Sequence, residues 1–457
     1  MPSLPQGSRF ADLPGVSSAW SYPLFDAIFG RRSRRFAVGS EIPGGATRYR
    51  STKPPLPLGE IEEAMLVQAA TGVSGLVLGD LPYVDDQGRD AGGNTVIQFT
   101  GRTWPSPCAS HGTELIFWND GATYLVRFKD VCATRLQEYE TLDDREKILV
   151  GFCENRLKLF DGRPQYPHAY PTMLPFNMWS SDIAGSTVFL PVADVTFEFI
   201  NVLLLMCGWP QGGMYIIDDE NGNRPAGCER WAKEGLLNPM FSVPLSYFAT
   251  SVTDIEAGFM IQNLLLAIQA LGLGGWVHAH PASLVLLGGT PVAKGLGFRF
   301  VTGKAGRMAG RPSPVGIDGV LEAYCPPYYK DMSAAVDAVV EAKFGPDGIY
   351  SQGSSKPAPF LMRNEFVDAV PRYSEKLVQC VKDICTYIYE TYGRFPAHVD
   401  AVSTPGSWVQ AHHLDLDFYD RFYPAGAYTE IQANHMEVWH SGAPAQEGAG
   451  VLAGTHA

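Results

Sequence analysis

Five consecutive residues, Arg31-Arg32-Ser33-Arg34-Arg35, concentrate four guanidinium groups around one hydroxyl. Forked, permanently charged donors at this density suit a phosphate or another anion. Such a run is most often an ordinary solvated face or interaction patch. Further along, Arg102-Thr103-Trp104-Pro105-Ser106-Pro107-Cys108 is a proline-rich turn leading into a strand. His278 and His280 alternate around Ala279, a spacing that puts both imidazoles on one side of a strand, although no third ligand is evident nearby. His412-His413-Leu414-Asp415-Leu416-Asp417 could bind a divalent metal or supply acid and base groups, but such residues more often bond structurally. On balance the sequence assigns no metal site. It shows no convincing nucleophile or triad and no dinucleotide fingerprint.

These residues must be held by regular elements, and the one with the clearest signature spans residues 253 to 275. Thr253 stands three residues before Glu256, a capping-box spacing, and Gly272, Gly274 and Gly275 permit the geometry that ends helices. The intervening residues are apolar on nearly every face, so a helix there is expected to be buried all round. Gln262 and Gln269 share a stripe beside Asn263. Inside a core their amides require partners, because an unpaired one costs about 1–3 kcal/mol. Periodicity also predicts helices over 61–70, 333–343 (capped by Ser333) and 374–392. Runs over 113–118 and 123–128 around Asn119-Asp120-Gly121 predict a hairpin. Residues 195–206 read as helix or buried strand, while 214–217, 283–287 and 298–302 read as strands.

The composition is that of a folded globular protein: 46% hydrophobic and 18% charged residues over 457 positions. A net charge of -13 argues against a nucleic-acid or anionic-membrane partner. No apolar run is long enough to span a bilayer. No secretory signal is evident, and the eight cysteines lack a Cys-x-x-Cys pair, so a reduced cytoplasmic setting is expected.

Three segments occur in an order that resembles the nitroreductase-like FMN-dependent flavoproteins. They are Arg-Arg-Ser-x-Arg, with Arg34 at the variable place, then Arg-Thr-x-Pro-Ser, then Gln-Asn-Leu-x-Leu-Ala-x-x-x-Leu-Gly-Leu-Gly. With the elements around them they cover about a third of the chain. The Pro-Ser turn is similar to that of the subgroup containing peptide thiazoline and oxazoline dehydrogenases. The resemblance implies an α+β nitroreductase-like fold, with an antiparallel-rich central sheet flanked by helices, large insertions and a C-terminal extension. It implies a homodimer with FMN at the interface, bound by Arg31, Arg32, Ser33, Arg35, Pro105, Ser106, Gln262, Asn263, Gly272 and Gly274. One of Lys304, Arg307 and Arg311 could add a further cation for the phosphate.

The expected activity is hydride transfer through the flavin N5 to or from a small-molecule or peptide substrate, with NAD(P)H open as reductant. No catalytic residue is identified. The expected organisation is an arm (1–20), two parts of the flavin domain (21–128 and 251–345), an insertion or cap (129–250), a C-terminal extension (346–440) and a disordered tail (441–457). Two other readings stay open: a non-catalytic flavin-fold scaffold, and a metal-dependent enzyme using the C-terminal His/Asp segment.

Overall fold

A computed structural model describes residues 9–81, 83–249, 252–397 and 407–440. Six strands, Thr113–Trp118 (β1), Ala122–Val126 (β2), Arg156–Asp161 (β3), Thr187–Ala193 (β4), Gly274–His278 (β5) and Trp408–His412 (β6), form one sheet in the order β5-β6-β4-β1-β2-β3. Every neighbouring pair is antiparallel. The expected hairpin is β1–β2, with Ile116 opposite Leu125. Its turn is tied by Asn119 Oδ1, which accepts from the amides of Gly121 (2.9 Å) and Ala122 (3.1 Å).

The inner strands are buried on both faces. Leu115, Phe117, Phe189, Val409 and Ala411 pack toward the central helix, Val252–Ala270. Ile116, Trp118, Val188, Leu190 and Trp408 pack toward Leu286, Leu287, Leu296 and Phe298 on the other side. Two-sided burial explains why these strands read as continuous apolar runs instead of alternating ones.

The central helix lies on the first face, its Met260, Leu264, Ile268 and Leu271 sharing a core with Ile61, Ala64 and Val67 of helix Glu60–Thr71. It is not enclosed all round. Ile255 (48% exposed) and Phe259 (42%) face solvent, as does Gln262. Glu256 does not complete the expected capping box either, because its carboxylate turns to the Ser106–Thr113 segment. The side chain of Thr253 lies outside the described residues. A second core joins helices Thr196–Cys207, Met332–Phe344 and Glu375–Tyr392 to strands Gly213–Asp218 and Leu237–Pro244.

The expected division of the chain requires correction. Range 129–250 is no separate cap, because it supplies β3 and β4 to the main sheet and then part of the second core. Nor is 346–440 an appendage: β6 sits between β5 and β4, and its hydrogen bonds join the edge strand β5 to the rest of the sheet. Residues 14–21, expected in an arm, form a helix whose Val16 and Ala19 enter the first core. The tail lies outside the described residues.

Local readings fared unevenly. Ser374 caps helix Glu375–Tyr392 by accepting from Leu377 N (3.2 Å), and Gly393 stops it at φ +68°. Helix Met332–Phe344 is capped by Asp331, not Ser333. Residues 283–287 are helix, not strand; five apolar residues fit both periods, and Gly288 at φ +93° closes the turn. Residues 196–207 settle as helix.

Leu264 is fully buried in the first core. Leu264→Ala is expected to lower unfolding free energy by about 2–5 kcal/mol, the range for a cavity of this kind, measured by urea denaturation.

Candidate functional site at the two ends of the central helix

The arginine run follows helix Leu24–Gly30 as extended backbone. It is pinned where Arg34 N donates to the Gly275 carbonyl (3.2 Å) and Val38 N to the His413 carbonyl (3.1 Å). The anchor is Arg34, the residue at the variable place of the motif. It is 3% exposed and donates to the carbonyls of Ala427 (2.7 Å) and Gly30 (3.2 Å) and to Gln269 Oε1 (3.1 Å). Gln269 in turn donates to Thr429 Oγ1 (2.9 Å). With Arg34 turned inward, Arg32 and Ser33 are exposed and Arg31 and Arg35 half-buried.

Arg35 lies with its guanidinium 4.1 Å over the Trp276 ring, and its Nη1 reaches Asn177 Oδ1 at 3.5 Å. Trp276 stacks on His278, with ring centroids 3.8 Å apart. Trp276, His278 and Trp408 share the sheet face opposite the central helix. Their ring nitrogens Trp276 Nε1, His278 Nε2 and Trp408 Nε1 are buried without a hydrogen-bond partner among the described residues. Burial, assisted by the charge of Arg35, pushes the His278 pKa down to about 2, so the ring is neutral. This cluster is a buried aromatic layer beneath the half-buried Arg35, beside exposed Arg32 and Ser33. The strand alternation noted for His278 and His280 points in fact to Trp276 and His278. His280 lies past the strand end, near the Pro171 carbonyl.

The Pro-Ser turn sits at the other end of the helix. Glu256, fully buried, accepts from Ser106 Oγ, Ser110 Oγ (2.9 Å), Thr113 N (3.0 Å) and Thr113 Oγ1 (3.0 Å). Ser106 Oγ also accepts from His111 N (2.9 Å), so this hydroxyl is occupied by the fold. Pro105 is exposed beside it. Cys108, Ala109 and His111 adopt positive φ of 57°, 51° and 45°. Left-handed backbone at three non-glycine residues is strained, and such strain concentrates at ligand clamps. His111, buried under Trp104 and near Arg102, has its pKa lowered to about 4.

Arg102 is 6% exposed. It donates to the Val131 carbonyl (2.7 Å), and its Nε and Nη1 are without partners among the described residues. It lines a cavity of about 510 Å³ with Thr71, Phe128, Cys132 and Phe152.

The remaining expected contacts scatter. Asn263 donates to the Thr103 carbonyl (2.9 Å), joining the helix to the Pro-Ser segment, whereas Gln262 points to solvent. Gly272 and Gly274 are covered by the C-terminal segment: a Cβ on the first would meet the Ile431 carbonyl at 2.5 Å, and on the second Leu414 Cδ2 at 2.3 Å. Arg307 pairs with Glu220 beside the second core. His412, His413 and Asp415 do not converge, since His412 and His413 leave the strand on opposite sides and Asp415 caps helix Leu416–Phe422.

The two motifs therefore lie apart within the chain. The arginine run meets the helix at Gln269 and the Pro-Ser turn meets it at Glu256. At 1.5 Å per residue these contacts lie about 20 Å apart along the axis.

No protein-family model matches the chain, and no curated protein matches it. Among solved structures the chain is similar to one provisionally described as a nitroreductase, from Ralstonia eutropha JMP134, at 15% identity, with 61% of this chain and 74% of that chain covered and a TM-score of 0.22. No helix among the described residues is long and apolar enough to cross a membrane.

His278 and His111 are neutral when folded and take up protons near pH 6.5 only when unfolded. Their contribution to stability is complete above pH 6.5 and declines as pH falls toward the folded values of about 2 and 4. Each is expected to add up to about 1.4 kcal/mol per pH unit to the acid slope. Denaturation midpoints between pH 7 and 5 check this, with His278→Gln reducing the slope.

Proposed function

We propose that the chain is an FMN-dependent oxidoreductase of nitroreductase type, acting as a homodimer on a small organic or peptide substrate. The observation that carries this reading is the half-site at Arg35: a guanidinium seated on Trp276, beside exposed Arg32 and Ser33 and next to buried ring nitrogens without partners. Arg32, Ser33 and Arg35 fit an anionic, hydrogen-bonding group. Arg31, Arg32, Ser33 and Arg35 would hold its phosphate and polar edge, with charge-assisted donors stronger than neutral ones. Trp276 fixes the plane of Arg35, and the buried surroundings strengthen the guanidinium's hold on negative charge. Bound FMN supplies hydride chemistry at its N5; the chain supplies orientation and charge.

The second half-site supports the dimer. Pro105 and the strained turn after it lie at the opposite end of the central helix from the arginine run, about 20 Å along its axis, so a second chain is the direct way to bring both to one flavin. Two central helices packed antiparallel across a two-fold axis bring the arginine end of one chain to the Pro-Ser end of the other. The open stripe of Ile255, Phe259 and Gln262 supports such packing, as do Leu24, Phe25 and Phe29, each more than 60% exposed on the neighbouring helix. Apolar residues left facing water on adjacent helices suit burial against a second copy.

Purified protein is expected to bind FMN with flavin absorbance. Arg32→Ala with Arg35→Ala should weaken binding at least about tenfold, since a charge-assisted contact is worth about 1.5–3 kcal/mol. Anaerobic NADH or NADPH is expected to bleach the bound flavin; bleaching by dithionite alone indicates a dedicated dehydrogenase or a scaffold. A chain that takes up no FMN overturns the proposal.

Sedimentation is expected to give a dimer, and Phe259→Asp a monomer with impaired FMN binding. A wild-type monomer that binds FMN with unchanged affinity would remove the shared-site reading.

A further inference from the structure

Glu62 on helix Glu60–Thr71, His413 just after β6, and His435 and His440 on the last described helix bring one carboxylate and three imidazoles to a single point. Glu62 Oε1 lies 3.3 Å from His413 Nε2, 3.1 Å from His435 Nε2 and 3.5 Å from His440 Nε2, and the Nε2 atoms of His413 and His440 are 3.2 Å apart. All four ligand atoms fall within 4.8 Å of one another. A zinc ion with bonds of about 2.0–2.1 Å sets tetrahedral ligand–ligand edges of about 3.3–3.4 Å. Four of the six separations, 3.1, 3.2, 3.3 and 3.5 Å, straddle that value.

The surrounding hydrogen bonds fix what these atoms can do. His413 Nδ1 is 3.0 Å from the Leu56 carbonyl, and His435 Nδ1 is 2.7 Å from the Leu271 carbonyl. A carbonyl only accepts, so both rings carry a proton on Nδ1 and aim Nε2 at Glu62. A carbonyl behind each imidazole is the outer support that metal-bound histidines use. Glu62 is oriented likewise: its Oε2 accepts from Gly59 N (2.5 Å), leaving Oε1 for the cluster. A divalent ion satisfies all four atoms with a net charge of +1.

We propose that Glu62, His413, His435 and His440 form a structural zinc site. Three imidazole nitrogens and one carboxylate favour zinc over calcium or magnesium. Four protein ligands fill the tetrahedron and leave no open position for water or substrate, which separates this site from a catalytic one. Side-chain exposures of 2%, 1% and 4% for Glu62, His413 and His435, and 22% for His440, agree with a closed centre reached from the His440 side. The ion clamps the last helix to helix Glu60–Thr71 across the edge of the first core. The site does not depend on flavin binding, because none of its ligands belongs to either half-site.

The test is metal content of full-length protein. Elemental analysis is expected to find about one zinc per chain. Protein stripped with a chelator should rebind zinc stoichiometrically, with a rise in thermal midpoint and protection of the C-terminal segment from protease. Cobalt in the stripped wild type should give the intense visible bands of a tetrahedral ion. His435→Ala and His440→Ala should each lower zinc affinity by on the order of a hundredfold or more, beyond the usual cost of losing an outer-shell partner. Should a variant fail to fold, the wild-type cobalt spectrum and rebinding stoichiometry still decide. Stripped wild type that rebinds no zinc, or cobalt bands of octahedral intensity, would overturn the proposal.

Discussion

An apolar helix laid on a sheet needs cover for its sides and partners for its polar ends, and Val252–Ala270 imposes that demand on the elements around it. The sheet face carrying Phe117, Phe189 and Val409 covers one side, and Glu60–Thr71 covers another. The ends are handled by single polar residues. Glu256 gathers four donors from the Ser106–Thr113 segment, and Gln269 holds Arg34 and Thr429. A buried carboxylate with each oxygen engaged fixes geometry more tightly than apolar contact can, since any displacement strands several donors at once. The strained turn and the inward arginine are both consequences of satisfying this helix.

That arrangement separates structural from available residues within each motif. Arg34 and Ser106 are used by the fold, leaving Arg31, Ser33, Arg35 and Pro105 more open, with exposed Arg32 donating from Nη1 to the Phe29 and Arg31 carbonyls. Arg35 is held by an aromatic face with one long polar contact, a placement that retains its charge near an accessible edge.

The C-terminal part of the chain completes the same core from outside. β6 zips β5 to β4, while Leu414 and Ile431 occupy the spaces that Gly274 and Gly272 leave open. The last helix then reaches Glu62, whose side chain already closes its own helix's first turn through Gly59. In the proposed metal site one residue thus both caps a helix and binds an ion that holds two distant parts of the chain together.

Local periodicity and turn chemistry in the sequence determined the β1–β2 hairpin, the helices near 60–71 and 375–392, and the long helix ending at Gly272, because these depend on neighbours a few residues away. The α+β class was an expectation from the family resemblance, and the structure has mixed helix and sheet. Three things were decided only by tertiary structure. Burial of Arg34 in place of its neighbours depends on Gln269 and Ala427, hundreds of residues downstream. The insertion of β6 into the sheet depends on pairing across the whole chain, which a short apolar strand does not announce. The Glu62–His413–His435–His440 cluster joins ligands from three segments with no motif spacing, and the neighbouring His412, equally suggestive in sequence, leaves the strand on the other side. Side-chain alternation made His412 and His413 diverge; only the fold determined which one met a carboxylate.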